Sequence, residues 1–238
     1  MNMWRLLLMS MWSLSLAAQA GTLSTPPSNI HAVYLVSKAG IALAEIDEKY
    51  ASHAGRYTLT STARPLGLLA LFRPGKIFIE SNGTIGAQGL QPLTFSYRQE
   101  GSADKDSEAK FFWGEHKLSL SHGALRSQLD LPDDTQDRLS AMYQFMFLNL
   151  KAATNLDFHM TNGSKLDSYH YSITTGTPYY SPAGAFETLY LDSQAKPGET
   201  RTEVWLAKAK HQLPCKVIIT DPEGGQLTQE LRKLEIQP

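Results

Sequence analysis

Three kinds of side chain in this sequence could carry chemistry: one thiol, seven imidazoles and one short acidic run. A reactive thiol needs a base or cation on its own side to hold the thiolate. Strand alternation puts Cys215 on one face with Val217 and Ile219 and leaves Lys216 on the other, so Cys215 reads as a core thiol. The imidazoles of His31, His53, His116, His122, His159, His170 and His211 are scattered, with no pair at i, i+2 or i, i+4. His159 and His170 could face one another across an Asn162-Gly163 hairpin, but two cross-strand imidazoles without a third ligand are structural more often than metal-binding. No metal and no cofactor is therefore expected. The run Asp130-Leu131-Pro132-Asp133-Asp134-Thr135-Gln136-Asp137 lacks the D-x-[DN]-x-[DN]-G calcium loop, and helix capping accounts for most of its acids. The sequence contains no G-x-S-x-G elbow, Gly-rich phosphate loop or H-E-x-x-H zinc helix. Catalytic residues are not assigned, and the reading leans away from an enzyme.

Two apolar segments offer binding instead. Leu139, Met142, Tyr143, Met146, Phe147 and Leu150 recur at i, i+3, i+4, i+7, i+8 and i+11, the stripe of an amphipathic helix that Asp134 or Thr135 can cap. Phe145 and Leu148 lie off that stripe, so the helix is expected to be buried on two sides, lying against or plugging a curved sheet. Met142, Tyr143, Met146 and Phe147 are adaptable apolar side chains suited to a hydrophobic ligand, or equally to an ordinary core. The second segment, Leu66 to Phe72, is a seven-residue apolar link between Pro65 and Arg73-Pro74-Gly75. It reads first as a buried strand or turn of helix; the alternative is an exposed hydrophobic lip, with Leu69 and Phe72 as contact candidates.

The elements that must position these residues are β-strands. Alternating or β-branched runs occur at Ala32–Lys38, Ile41–Ser52, Arg56–Ala63, Ile77–Glu80, Leu93–Arg98, Phe111–Leu120, Leu156–Met160, Ser168–Thr174, Phe186–Leu191, Glu203–Lys208, Lys216–Thr220 and Leu227–Ile236. Short turns at Ala39-Gly40 and before Arg56 fit antiparallel neighbours, and Asn82-Gly83 and Asn162-Gly163 are hairpin signals because a type I′ turn needs two residues at positive φ. There is no βαβ rhythm. The expectation is a mainly β protein: one curved antiparallel sheet or half-open barrel of about a dozen strands with one main helix, occupying residues 30–238 as a single domain.

The first residues read differently. Arg5, the apolar run Leu6 to Leu16 and Ala18-Gln19-Ala20 make a secretory signal peptide over residues 1–20. Its apolar run is about half the roughly 20 residues that span a bilayer. Residues 21–29, with two prolines, read as a flexible leader. Loss of Arg5 with the signal leaves 21 basic against 23 acidic residues, so a nucleic-acid partner is not expected, nor is a transmembrane segment in the mature chain. Location is expected to be periplasmic.

The chain also resembles a known family. Gly55-Arg56-Tyr57, Gly89-Leu90-Gln91-Pro92, Gln136-Asp137-Arg138-Leu139-Ser140-Ala141-Met142-Tyr143, Pro182 to Thr188, Val204-Trp205-Leu206-Ala207 and Leu213-Pro214 are similar in kind and spacing to the bacterial family called domain of unknown function 3108. The resemblance covers roughly residues 30 to 236 and implies an exported, mainly antiparallel β protein with no assigned catalytic residues. More loosely, a curved sheet with an inserted helix is similar to the half-barrels of envelope lipoprotein carriers. The functional expectation is a binding or carrier module for a lipid or lipidated protein. An envelope hydrolase and a structural partner in envelope assembly stand as alternatives.

Overall fold

The structure is a computed structural model that describes residues 26–72 and 74–238. The signal segment and the first half of the leader lie outside the described residues. The end of the leader is tied in: Pro27 is buried, Ser28 O accepts from Ser52 N at 2.7 Å, and Ser28 Oγ donates to Pro238 O.

The chain opens with a long antiparallel meander of β1 (Asn29–Lys38), β2 (Ile41–His53), β3 (Arg56–Pro65), β4 (Ile77–Gly86), β5 (Gly89–Gln99), β6 (Ser107–Phe112), β7 (Lys117–His122) and β8 (Leu125–Asp130). A short helix α1 (Gly67–Phe72) links β3 to β4. Next come β9 (Gln136–Asp137) and a second helix α2 (Ser140–Gln144), tightened into a 3₁₀ turn over Phe145–Phe147. β10 (Asn155–Thr161) and β11 (Leu166–Thr175) form a hairpin, and β12 (Tyr179–Ser181) pairs only with β13 (Gly184–Phe186). The chain ends with β14 (Thr188–Asp192), β15 (Arg201–Ala207), β16 (Leu213–Thr220) and β17 (Gln226–Gln237). Among the described residues, fifteen strands form one sheet in the order β8-β7-β6-β5-β4-β3-β2-β1-β17-β16-β15-β14-β11-β10-β9, antiparallel except for β9 beside β10. No helix among them is long and apolar enough to cross a membrane.

Period-two patterning makes these strands. In β3, Tyr57, Leu59 and Ser61 are buried while Arg56, Thr58 and Thr60 are exposed; in β6, Ser107, Ala109 and Phe111 are buried against exposed Glu108, Lys110 and Phe112. The two-residue connections Ala39-Gly40 and Ala54-Gly55 both hold positive φ at each position, the type I′ requirement. The sheet does not close into a barrel. Its two halves meet instead through side chains: Gln136 Nε2 donates to Leu90 O at 2.8 Å, Ser81 Oγ to Asp137 Oδ2 at 2.5 Å, and Ser107 Oγ to Asn162 O at 2.8 Å.

Several expectations need correction. Asn82-Gly83 is no hairpin: β4 runs straight through it with a register shift, and the turn lies at Ala87-Gln88. Gly83 is required for close approach, since a Cβ there would overlap Gln91 O and the Tyr57 ring. The run Phe111–Leu120 is two strands separated by a 3₁₀ turn at Trp113–Glu115. β8 escapes the pattern because all six of its residues are exposed, as an edge strand permits. The helix expected over residues 139–150 covers only Ser140–Phe147, and the backbone turns extended at Leu148. Gln212 Nε2 fastens that end, donating to the carbonyls of Leu148 (2.8 Å) and of Phe145 (3.0 Å), the latter also accepting from Leu148 N. Its cap is neither Asp134 nor Thr135 but Asp137, whose Oδ1 accepts from Leu139 N at 2.9 Å and Ser140 N at 2.8 Å.

The two-sided burial of this helix is as expected. Leu139, Tyr143 and Met146 pack with Ile30, Tyr50, Tyr57, Leu59, Leu90 and Leu213, whereas Ala141 and Phe145 pack with Phe158, Tyr171, Leu191, Val204 and Leu206. Met142 is half-buried and touches both groups. A further cluster on β5–β7 joins Phe95, Phe111, Leu118 and Leu120 with Leu131.

Candidate functional site

The helical plug leaves one cleft at its own end of the sheet. The β4–β5 turn forms one wall, α2 and its 3₁₀ turn form the second, and β10 with the chain before β9 forms the third. The space is about 630 Å³, half-open to solvent, and its large apolar lining residues are Leu90, Trp113, Phe145, Phe147, Leu148, Leu156 and Phe158. Gly89, at φ +104°, is what lets the turn lie against the helix: a Cβ there would sit 2.7 Å from Phe147 Cβ and 2.5 Å from Gln144 Oε1. Gln144 then clamps the turn, with Oε1 accepting from Leu90 N and Nε2 donating to Gln88 O, each at 2.7 Å. Trp113 is fixed by its Nε1–H, which donates to Pro92 O at 2.6 Å, and by stacking on Phe111 at 5.9 Å.

Polar groups line the rest. Asp133, Asp134 and Asp157 contribute three carboxylates, and no Lys or Arg lines the cleft among the described residues. Each acid meets an imidazole through Oδ1: His170 Nδ1 at 2.5 Å from Asp157, His159 Nδ1 at 2.7 Å from Asp134 and His116 Nδ1 at 3.6 Å from Asp133. His159 and His170 therefore do not face one another: the β10–β11 register sets His170 opposite Asp157 and His159 opposite Ser168. Among the described residues no three His, Cys, Asp or Glu side chains converge as a metal site would require. Gln136 also lines the cleft; its amide N–H is spent on Leu90 O, and its Oε1 is buried without a partner.

Two buried carboxyls lie in the interior, away from the cleft lining. Glu48 on β2 is pushed up to about 7 by burial, opposed by Tyr143 O–H at 3.1 Å and Ser61 O–H at 3.4 Å, both of which donate to it. Burial likewise raises Asp137 to about 6 against the hydrogen bonds from Ser81, Leu139 and Ser140. Both carboxyls fasten the helical plug, Glu48 through Tyr143 and Asp137 through its cap. Cys215 is fully buried, its thiol pushed up to about 12 by desolvation and donating to Trp205 O at 3.3 Å, which keeps it protonated.

Of the six residues singled out in the sequence, Phe147 lines the cleft. Tyr143 and Met146 are buried beneath the helix, and Met142 sits between the two core groups. Leu69 and Phe72 lie on α1, at the opposite end of the sheet and separated from the cleft by the ten-residue length of β4, about 30 Å. The segment expected first as buried is thus an exposed turn of helix: Leu68, Leu71 and Phe72 are 73%, 76% and 81% exposed, and only Leu66, Leu69 and Ala70 are half-covered. Sequence reasoning missed Gln136 and Gln144. The signal was present, since Gln144 interrupts an otherwise apolar helical run and Gly86 and Gly89 bracket a turn facing it.

Residues 29–232 match the family model described as protein of unknown function (DUF3108). No curated protein matches the chain. Among solved structures, a beta-barrel-like protein of domain of unknown function DUF1849 from Brucella abortus aligns over 90% of this chain and 99% of its own, with a TM-score of 0.56 and 12% identity, a likeness of fold. A "putative lipoprotein" from Parabacteroides distasonis ATCC 8503 aligns over 89% of this chain and 96% of its own at 10% identity, with a TM-score of 0.35. A "putative outer membrane lipoprotein-sorting protein domain" from Vibrio parahaemolyticus aligns over 88% and 85% at 11% identity, with a TM-score of 0.26.

Proposed function

This chain belongs to the DUF3108 family, and we propose that it is a non-catalytic binding or carrier module of the cell envelope that takes a hydrophobic ligand, a lipid or the acyl chain of a lipidated protein, into the cleft beside its helical plug. One observation carries the reading: seven large apolar side chains, three of them phenylalanines and one a tryptophan, line a half-open cleft of about 630 Å³. The chemistry around the cleft supports binding over catalysis. Among the described residues its lining has no hydroxyl, thiol or amine side chain, and the carboxyls shifted most strongly, Glu48 and Asp137, are committed to holding the helix. The signal-like residues 1–20 support the envelope as the place of work.

Native mass spectrometry with organic extraction, on the chain recovered gently from a bacterial periplasm, tests this. The expected result is a co-purifying apolar adduct that falls at least tenfold in occupancy in Phe147→Gln, while the urea midpoint of that variant shows it still folded. An adduct retained in full by Phe147→Gln, or a wild-type protein that neither carries nor takes up any amphiphile, overturns the reading.

A further inference from the structure

The cleft leaves the other end of the sheet unexplained, and α1 stands there. Its six residues, Gly-Leu-Leu-Ala-Leu-Phe, span about 9 Å as helix and carry no polar side chain. Leu68, Leu71 and Phe72 project into solvent. The apolar surface does not stop at the helix. A Cβ on Gly67 would lie 3.9 Å from Ala42 O, so α1 begins against the start of β2, where Ile41 is exposed. The strand register continues the row: Ile41 stands opposite Lys38, Lys38 opposite Leu227, and Leu227 opposite Ile219, the last two again exposed. Charge says what covers this surface. From Lys49 to Ile79 the chain carries Lys49, Arg56, Arg64, Arg73 and Lys76 and no acidic residue, and the last three of these lie within four positions of α1. Arg64 and Lys76 are exposed, and the ion pairs of this end, Lys38 with Asp221 and Arg98 with Glu108, each at 3.8 Å, leave both of them out. Acids are present too: Glu45 stands opposite Arg64 in the β2–β3 register, and Glu100 Oε2 accepts from Lys76 N at 2.9 Å. The flanks of α1 itself are basic.

A helix that docks in the groove of a protein lays one apolar face inward and keeps a polar face for solvent. α1 has no such second face. A bilayer interface asks for none, because it surrounds an inserted turn on every free side while the helix satisfies its own backbone, and long basic side chains beside the turn reach the headgroups. We propose that the α1 end of the sheet is a contact for anionic bilayers: Leu68, Leu71 and Phe72 enter the boundary between headgroups and acyl chains, with Ile41 beside them, and Arg64 and Lys76 meet the lipid phosphates. The contact does not rest on the carrier reading. The cleft lies the length of β4 away, about 30 Å, and remains open to solvent while α1 is on the surface.

The test is co-flotation with vesicles of phosphatidylcholine, alone or with about one-third phosphatidylglycerol. It uses the chain recovered from a bacterial periplasm without residues 1–20, whose apolar run would bind lipid by itself. Wild type is expected to bind the anionic vesicles at least about fivefold more tightly than the neutral ones, the factor one basic residue near the surface supplies, and molar salt should erase that preference. Leu71→Gln with Phe72→Gln should lower affinity for both vesicles at least about tenfold, with an unchanged urea midpoint because neither side chain is in the core. Arg64→Gln with Lys76→Gln should remove the anionic preference and leave binding to neutral vesicles as it is. Phe147→Gln should float as wild type does; if it fails to, the lipid contact lies at the cleft, which overturns the proposal and leaves the carrier reading intact. Equal binding to the two kinds of vesicle, full flotation of Leu71→Gln with Phe72→Gln, or no flotation of wild type overturns the proposal as well. A concentration-dependent dimer in analytical ultracentrifugation that the Leu71→Gln, Phe72→Gln variant dissolves would make the occupant a second copy of the chain and overturn the bilayer.

Discussion

The two short helices of this molecule have opposite fates. α1, Gly-Leu-Leu-Ala-Leu-Phe, has no polar side chain and lies largely exposed; the α2 segment contains Ser140 and Gln144 and is buried in the middle of the protein. What separates them is the number of polar anchors. The α2 segment is pegged by the Asp137 cap, by Tyr143 on Glu48, by Gln144 on the β4–β5 turn and by Gln212 on its last carbonyls. Among the described residues, α1 is tied to the sheet by one backbone bond just before it, Leu66 N to Leu43 O at 2.8 Å. A buried helix must satisfy the groups at its ends, and side chains placed elsewhere in the sequence do that for α2. Apolar composition supplies the reason to bury a segment; polar anchors decide where burial is possible.

The largest consequence is for the side chains facing the core. Phe145 is 2% exposed and packs among Phe158, Leu191, Val204 and Leu206. Phe145→Ala should cost about 3–5 kcal/mol, by lost transfer energy and the cavity left behind. Urea unfolding with an unchanged m-value measures it, and a loss under about 1 kcal/mol would mean that the plug is not packed as described.

The comparison also marks how far the sequence could be read. Inward alternation, the Ala39-Gly40 turn and the two-sided apolar helix are local patterns, and each is visible in adjacent residues. Asn82-Gly83 misleads because the same dipeptide that suits a turn also suits a strand where the Tyr57 ring and Gln91 backbone press close. β8 is invisible because an edge strand with both faces wet has no alternation to show. The cleft is harder still. Its walls come from residues 86–91, 113, 133, 134, 136, 141, 144, 145, 147–149 and 156–158, brought together by bonds such as Gln136 to Leu90 that span 46 positions. Phe147 is legible as an apolar residue on a helix; that it faces a cleft while Met146 packs with Tyr50, Tyr57 and Leu59 depends on sheet residues far away in the sequence.

The second consequence is a pH dependence that α1, with no titratable residue, cannot share. Burial raises the Glu48 carboxyl from 4.5 to about 7, so between those values the folded protein holds a proton that the unfolded chain has lost. Stability from this group is therefore complete below pH 4.5, declines as pH rises through 7, and is flat above. Glu48→Gln keeps an acceptor for Tyr143 and removes the titration. Relative to wild type, the variant should gain about 3 kcal/mol in unfolding free energy between pH 4 and pH 8.5, since each tenfold difference in proton affinity between the folded and unfolded chains is worth about 1.4 kcal/mol. Parallel stability profiles for the two proteins over that range would remove Glu48 from the account of how the plug is held.

The smallest expected effect is the sharpest test of the contrast. Phe72 is as apolar as Phe145 but 81% exposed, so truncation opens no cavity and exposes little that is not already wet. Phe72→Ser should change unfolding free energy by under about 0.5 kcal/mol, the range of ordinary surface substitutions. It should also leave ligand binding at the cleft unchanged, since the length of β4 lies between them. A loss above about 1 kcal/mol would show α1 packed against something, and the rule that polar anchors decide burial would fail at its clearest case. If stability holds, an apolar turn raised from the end of the sheet is being kept for a reason other than folding, because exposed Leu68, Leu71 and Phe72 stabilise nothing while adding an aggregation hazard. Comparing wild type and Phe72→Ser in flotation with lipid vesicles would then tell whether that reason is contact with a bilayer.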